Sequence, residues 1–196
     1  MTRTNNVSVD VIVLAASEIN TAARKGQLEK IDYSLYKKDE LDGLGDFAKD
    51  EFSVAYIVFS YNIVYNTQCF PANKPRPTTW AEFLDVDEFP GVRTLATGAY
   101  GSGGPWEEAL LADGVAPEAL YPMDIDRIFA SLDKLKPHIR KWWESGSEIY
   151  QMMHDKNADI IQSFDRRAQA LVDQGPPIEI NRNQAKVNPK RKAQRP

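Results

Sequence analysis

Hydrophobic residues are spaced along this chain in a strand–helix alternation. Ser8 to Leu14 (SVDVIVL) is a β-branched apolar run suited to a buried strand, and Ser17 to Lys25 follows with helical spacing closed by Gly26. Lys30 to Glu51 is charged, dotted with glycine and without a clear period, which predicts mostly loop. Phe52 to Asn66 (FSVAYIVFSYNIVYN) is the strongest strand signal, long enough for one bent strand or two joined end to end. Beyond the proline-rich stretch from Pro71 to Pro77, Thr78 or Thr79 can cap a short helix from Trp80 to Leu84. Gly91 to Ala96 reads as a strand, and a glycine cluster leads into a helix that starts near Pro105, reaches Ala112 and stops at Asp113-Gly114. Helices are further predicted over Asp124 to Leu135, Ser147 to His154 and Asp165 to Asp173, with strands at Ala158 to Ser163 and Ile178 to Ile180. The alternation predicts an α/β fold with a mixed, largely parallel sheet and helices on both faces.

Charge changes the picture at the C-terminus. Arg182 to Pro196 carries six basic residues and no acid, which leaves 18 of the 24 basic residues against all 28 acidic ones in the chain before it. A body this acidic repels phosphate backbones, so no nucleic-acid partner is expected outside the tail; the tail has no aromatic residue for stacking and reads as disordered. Cys69 is the single cysteine and His138 and His154 are the two histidines, a set that gives neither an internal disulfide nor a metal constellation. No cofactor fingerprint or nucleophile–base pair stands out, so the chain is not expected to be an enzyme. No apolar run approaches the length of a membrane span, and Met1 to Asn6 is polar, unlike a secretory signal, so the sequence as written points to the cytoplasm.

Three constellations carry candidate chemistry. Thr97 to Gly104, with Gly101, Ser102, Gly103 and Gly104 ahead of a helix, offers backbone N–H groups to a carboxylate or other anion. It lacks the Gly-Lys-Ser/Thr ending of a nucleotide loop, and glycines near a helix start are often turn chemistry alone. Trp142-Trp143-Glu144-Ser145-Gly146-Ser147 places two indoles before a small polar turn, where Trp143 could line a ligand and Ser145 and Ser147 could cap or donate. The competing reading puts one indole in the core. Phe164-Asp165-Arg166-Arg167 stands at a strand-to-helix junction, the rim where α/β sheets gather ligands. There Asp165 could be an N-cap only, and Arg167 could either bind a carboxylate bidentately or be a solvated surface residue.

The segments VDVIVL, GQLEKIDYS, SYNIVYNT, TTWAEFLDVDEFPGVR, ALLADGV, LYPMDIDR, LDKLKPHI and KWWESG follow one another between Val9 and about Gln184. Together they resemble the extracellular solute-binding proteins of ABC importers, in the branch that includes the spermidine/putrescine binders. The resemblance implies a type II periplasmic-binding-protein-like fold that captures a small solute between two lobes and docks on a membrane ABC permease, at a periplasmic or extracellular location. It implies ligand contacts at Ser17, at Gly101 to Gly104, at Ser145 to Ser147 and at Phe164, Asp165 and Arg167, where the family carries the pattern W-N-G-R. Polyamine binders place acidic residues where this chain has the glycine loop. With Arg167 kept, that departure shifts the expected solute from a polyamine toward an amino acid or carboxylate.

The same resemblance implies one nearly complete lobe and a fragment of the other. The expected organisation is a partial first lobe over residues 1–55, a second α/β lobe over 56–182 and a basic disordered tail over 183–196, as in a truncated relative. The first-lobe segment from Val9 to Ser53 is then expected to lack sheet neighbours. The alternative to a solute-binding component is a cytosolic remnant or self-associating structural module that pairs through bare sheet edges.

Overall fold

In a computed structural model the protein is described over residues 9–99 and 104–195. The chain forms two compact units, one from the residues up to Phe59 together with those from Asn188 onward, the other Ser60–Val187. Two long strands, β3 (Ser53–Asn66) and β7 (Ile178–Gln194), carry the chain from one unit to the other.

In the first unit β1 (Val11–Ala15) leads directly into α1 (Ala16–Arg24), and Gly26 follows with φ +63°, the left-handed turn that ends the helix. β1 pairs antiparallel with the far end of β7, from Val11 opposite Gln194 to Ala15 opposite Lys190. Ile19 and Leu28 close on Ala193 to form a small core. Lys30 to Glu51, expected as loop, contains a short helix α2 (Lys38–Gly43), two single-turn 3-10 helices and the two-residue strand β2 (Lys49–Asp50), which pairs antiparallel with the start of β3.

The expected disordered tail over 183–196 is corrected by this pairing, because residues 183–194 belong to β7. Several of its basic side chains have partners. The Arg191 guanidinium donates to the carbonyls of Phe47 and Ala48, and the Lys192 ammonium stands 5.0 Å from the centre of the Tyr56 ring. The expectation that the segment from Val9 to Ser53 lacks sheet neighbours is corrected for the same reason, since β1 pairs with β7 and β2 with β3. A charge-rich segment without aromatics resembles a solvated tail by composition, yet backbone pairing needs no apolar side chains.

The second unit is built on β7, β3, β6 (Ile160–Phe164), β4 (Arg93–Ala96) and β5 (Ile139–Trp143), adjacent in that order. β4 is parallel to both β5 and β6, whereas β3 runs antiparallel to β6, so the sheet is mixed. All four residues of β4 are buried, as befits a central strand covered on both faces. Helices α3 (Trp80–Leu84), α4 (Trp106–Ala112) and α5 (Ile125–Leu135) contribute Trp80, Phe83, Leu110, Ile128, Leu132 and Leu135 to one large core with Ile63, Tyr65 and Leu95. In α5 the buried Ile128, Leu132 and Leu135 recur at helical spacing, the pattern that specified the helix. Arg93 is fully buried and structural: its guanidinium donates to the carbonyls of Phe83, Asp85, Phe89 and Gly91, tying the loop after α3 to β4. Two further helices, α6 (Gly146–His154) and α7 (Asp165–Val172), start at the carboxyl ends of β5 and β6.

Candidate functional site

The carboxyl ends of the parallel strands β4, β5 and β6 meet at one end of this sheet, and most of the predicted contact residues lie there. Three aromatic rings form its floor. Tyr61 on β3 stacks near Trp143 at 6.4 Å with an interplanar angle of 19° and meets Phe164 at 4.8 Å, and Trp143 meets Phe164 edge-on at 5.4 Å. Trp143 and Tyr61 are buried, whereas Phe164 is half-buried. Trp143 is therefore the indole of the pair that the core takes up on this side of β5, while Trp142 packs against the large core on the other. Its Nε1–H is buried with no hydrogen-bond partner among the described residues.

On the rim, Ser145 is the N-cap of α6. Its Oγ accepts from Glu148 N at 3.3 Å, and the Glu148 carboxylate returns to the N–H groups of Glu144 and Ser145. Those N–H bonds, first that of Glu144, and the Lys141 ammonium hold the Glu148 carboxyl below its ordinary range. Ser147 Oγ lies 3.4 Å from Ser145 Oγ and is exposed. Gly146 lies close under Arg167, where a methyl would stand 2.8 Å from Nε unless the exposed arginine side chain moved aside. Arg167 thus lies against the start of α6, exposed, with no hydrogen bond or ion pair among the described residues.

Asp165 is not the N-cap that the sequence suggested. Phe164 occupies that position, and Asp165 begins α7 with its carboxylate accepting from Ser60 N at 3.4 Å. The glycine loop is described only at its ends. Gly98 and Gly104 both lie on the Trp106 indole, where a methyl would come within 2.4 Å and 2.0 Å of ring atoms, so this pair is glycine for packing. Gly101, Ser102 and Gly103, expected to bind an anion, lie outside the described residues. Ser17 belongs to the other unit, exposed in the first turn of α1, with its carbonyl accepting from Thr21 Oγ1.

Sequence reasoning missed a charged cluster at the same end of the sheet. Lys186 on β7 donates to Gly104 O at 2.7 Å, Glu108 Oε2 at 2.9 Å and Glu107 Oε2 at 3.1 Å, and its nitrogen stands 4.9 Å from the centre of the Tyr61 ring. Burial pushes the Glu108 carboxyl up from its ordinary range, and the Lys186 charge opposes that rise. Glu108 also accepts from Gln162 Nε2 at 2.7 Å, while Gln162 Oε1 accepts from Ala96 N. The signal was available in two acidic residues inside the α4 pattern, one of them at a core position, which implied a buried cation from elsewhere. Its partner was hidden in the segment whose composition suggests disorder. Among the described residues no group of His, Cys, Asp and Glu could hold a metal ion, and no helix is long and apolar enough to cross a membrane.

The sequence profile of the family described as bacterial extracellular solute-binding protein matches residues 1–187. A gamma-aminobutyric acid-binding protein of Pseudomonas aeruginosa is 32% identical over 185 residues, which cover 92% of this chain and 50% of that protein. Among solved structures, an ABC transporter substrate-binding protein from Bradyrhizobium japonicum is similar with a TM-score of 0.84 at 32% identity, covering 95% of this chain and 56% of its own. A GABA receptor is similar with a TM-score of 0.86 at 31% identity, covering 96% and 56%. The chain spans about half the length of these relatives. None of the three is named for a polyamine, and the two whose names carry a ligand carry GABA, so the polyamine branch of the resemblance gains no support.

Proposed function

The chain belongs to the bacterial extracellular solute-binding proteins of ABC transporters, a family of binders and not of enzymes, and from that premise we propose that it binds a small amino-acid-like zwitterion or carboxylate. The observation that carries this reading is Arg167, an exposed guanidinium with no hydrogen bond or ion pair among the described residues, lying against Gly146 at the end of the sheet where the exposed Ser147 and the half-buried Phe164 also stand. A guanidinium fork suits a carboxylate, and hydroxyl and aromatic neighbours suit a short polar chain. A di- or triamine meets a like charge at this place. The GABA named for two relatives is a solute of the same chemical class, with a carboxylate and an ammonium on a short methylene chain. Delivery to a membrane ABC permease, on the extracellular side where the family works, completes the reading. The matched family and relatives, all binding proteins, give no support to the alternative of a self-associating module.

Isothermal titration calorimetry of the chain with GABA, longer ω-amino acids, simple carboxylates and putrescine tests the proposal. The zwitterion is expected to bind in preference to putrescine, and Arg167→Ala to weaken it by about 10- to 100-fold, the worth of a charged hydrogen-bond pair. Tighter binding of putrescine, or an Arg167→Ala variant with unchanged affinity, overturns it.

A further inference from the structure

The Lys186 cluster is organised as a receptor for an ammonium ion, and its acceptors are fixed without help from Lys186. Glu107 takes the Tyr121 hydroxyl on Oε1 at 2.7 Å and offers Oε2 to the lysine. Glu108 takes Gln162 on Oε1 and likewise offers Oε2. Gly104 O supplies the third acceptor, in a backbone position set by packing on Trp106. The Tyr61 face closes the fourth side.

Three oxygen acceptors within 3.1 Å match the three N–H bonds of a primary ammonium, and the ring covers its remaining surface. A guanidinium is planar and cannot turn three donors into this arrangement, a quaternary ammonium has no N–H to give, and a neutral alcohol cannot balance the carboxylates. The Lys186 side chain is only 11% exposed and the Glu108 side chain 2%, so the cage is largely shielded from water.

We infer that Glu107, Glu108, Gly104 O and the Tyr61 ring form a binding cage for a primary alkylammonium ion that the chain fills with its own Lys186. While Lys186 is in place the cage admits no second cation. Emptied of it, the cage takes up a free alkylammonium of matching length. The cage belongs wholly to the second unit and stands or falls independently of the solute proposed above.

The test is to replace the lysine and supply what was removed. Lys186→Ala takes away three methylenes and the nitrogen, the atoms of n-propylammonium, whereas Lys186→Met keeps most of the bulk without the charge. Thermal melts and calorimetry are run with n-propylammonium, n-propanol, tetramethylammonium and sodium chloride at matched ionic strength. Lys186→Ala is expected to melt several degrees below the wild type and to be restored in a saturable way by n-propylammonium alone. The wild type and Lys186→Met should not respond, and adding Glu108→Gln to Lys186→Ala should weaken the amine by about tenfold or more. Equal effects of n-propylammonium and sodium chloride on Lys186→Ala overturn the inference. Should Lys186→Ala fail to fold, NMR of the wild type decides. A caged Lys186 shows a slowly exchanging ammonium signal at neutral pH and ring-shifted ε-methylene protons, and an ordinary solvent-exposed lysine signature overturns the cage.

Discussion

The two units bury cores of very different size. In the second, 14 of the described buried residues, from strands, helices and the loops between them, join in one cluster with Trp80, Phe83, Ile128 and Ile160 at full burial. In the first, the cluster is Ile19, Leu28 and Ala193, and the same unit leaves Val11, Val13, Leu35, Phe47, Tyr56, Ile57 and Val58 exposed. Both obey the same local rules for strands, caps and turns. What separates them is the apolar area that each removes from water, at about 25 cal/mol per Å², and a unit on the order of 60 residues is marginal on that scale. The first unit accordingly leans on backbone pairing, above all between β1 and the last residues of β7.

Cutting into the larger core breaks the comparison most severely. Trp80 is fully buried, with its indole N–H donating to Gln184 O at 2.9 Å, and Trp80→Ala is expected to cost about 3–5 kcal/mol. Chemical denaturation followed by circular dichroism should show a lower midpoint with an unchanged slope; a loss under about 1 kcal/mol, well short of what truncating a buried indole normally costs, would mean that this core is looser than its burial implies. Ile19→Ala is the matching cut in the smaller cluster and should cost about 2 kcal/mol, the low end for isoleucine, because few neighbours pack around it. Its distinctive readout is hydrogen exchange. Amides of β1 and of β7 beyond Asn188 should lose protection while those of β4 and β6 keep theirs. Uniform loss across both units would show that they unfold together.

The larger core is also the more legible in sequence. Helices α3, α4 and α5 are located within a residue or two by apolar spacing and by Thr79, Asp113-Gly114 and Asp124 as caps and stops, because those signals are local. The long reach of β7 is not legible past Ile180, since its later residues are polar or basic and are ordered by backbone pairing with β1. Candidate site residues divide along the same line. Phe164, Gly146 and Arg167 are placed at strand ends by pattern and resemblance, whereas Tyr61 and Lys186 come together from positions more than 120 apart, a proximity that periodicity cannot report. Trp143 could be core or wall from sequence; the register of β5 decides it, by turning that ring toward Tyr61 and Phe164.

The smallest expected effect sharpens the comparison by isolating one local device of the second unit. Thr79 caps α3, its Oγ1 accepting from Glu82 N at 3.2 Å, and Thr79→Ala should cost about 1 kcal/mol. The reciprocal partner is pH-dependent. Burial works against the charge on Glu82, but the N–H and hydroxyl of Thr78 and the N–H of Thr79 outweigh it and hold the carboxyl below its ordinary 4.5. A carboxyl with a depressed folded-state pKa contributes stability that is complete above its unfolded value and disappears as the pH falls through the folded one. Melting temperatures of the wild type and Glu82→Gln should therefore differ at neutral pH and converge as the pH drops below 4.5. Glu108, whose carboxyl is raised, has the opposite sign and is common to both proteins, so it cancels in the difference. A gap that stays constant down to strong acid would mean that Glu82 acts through packing and not through its charge.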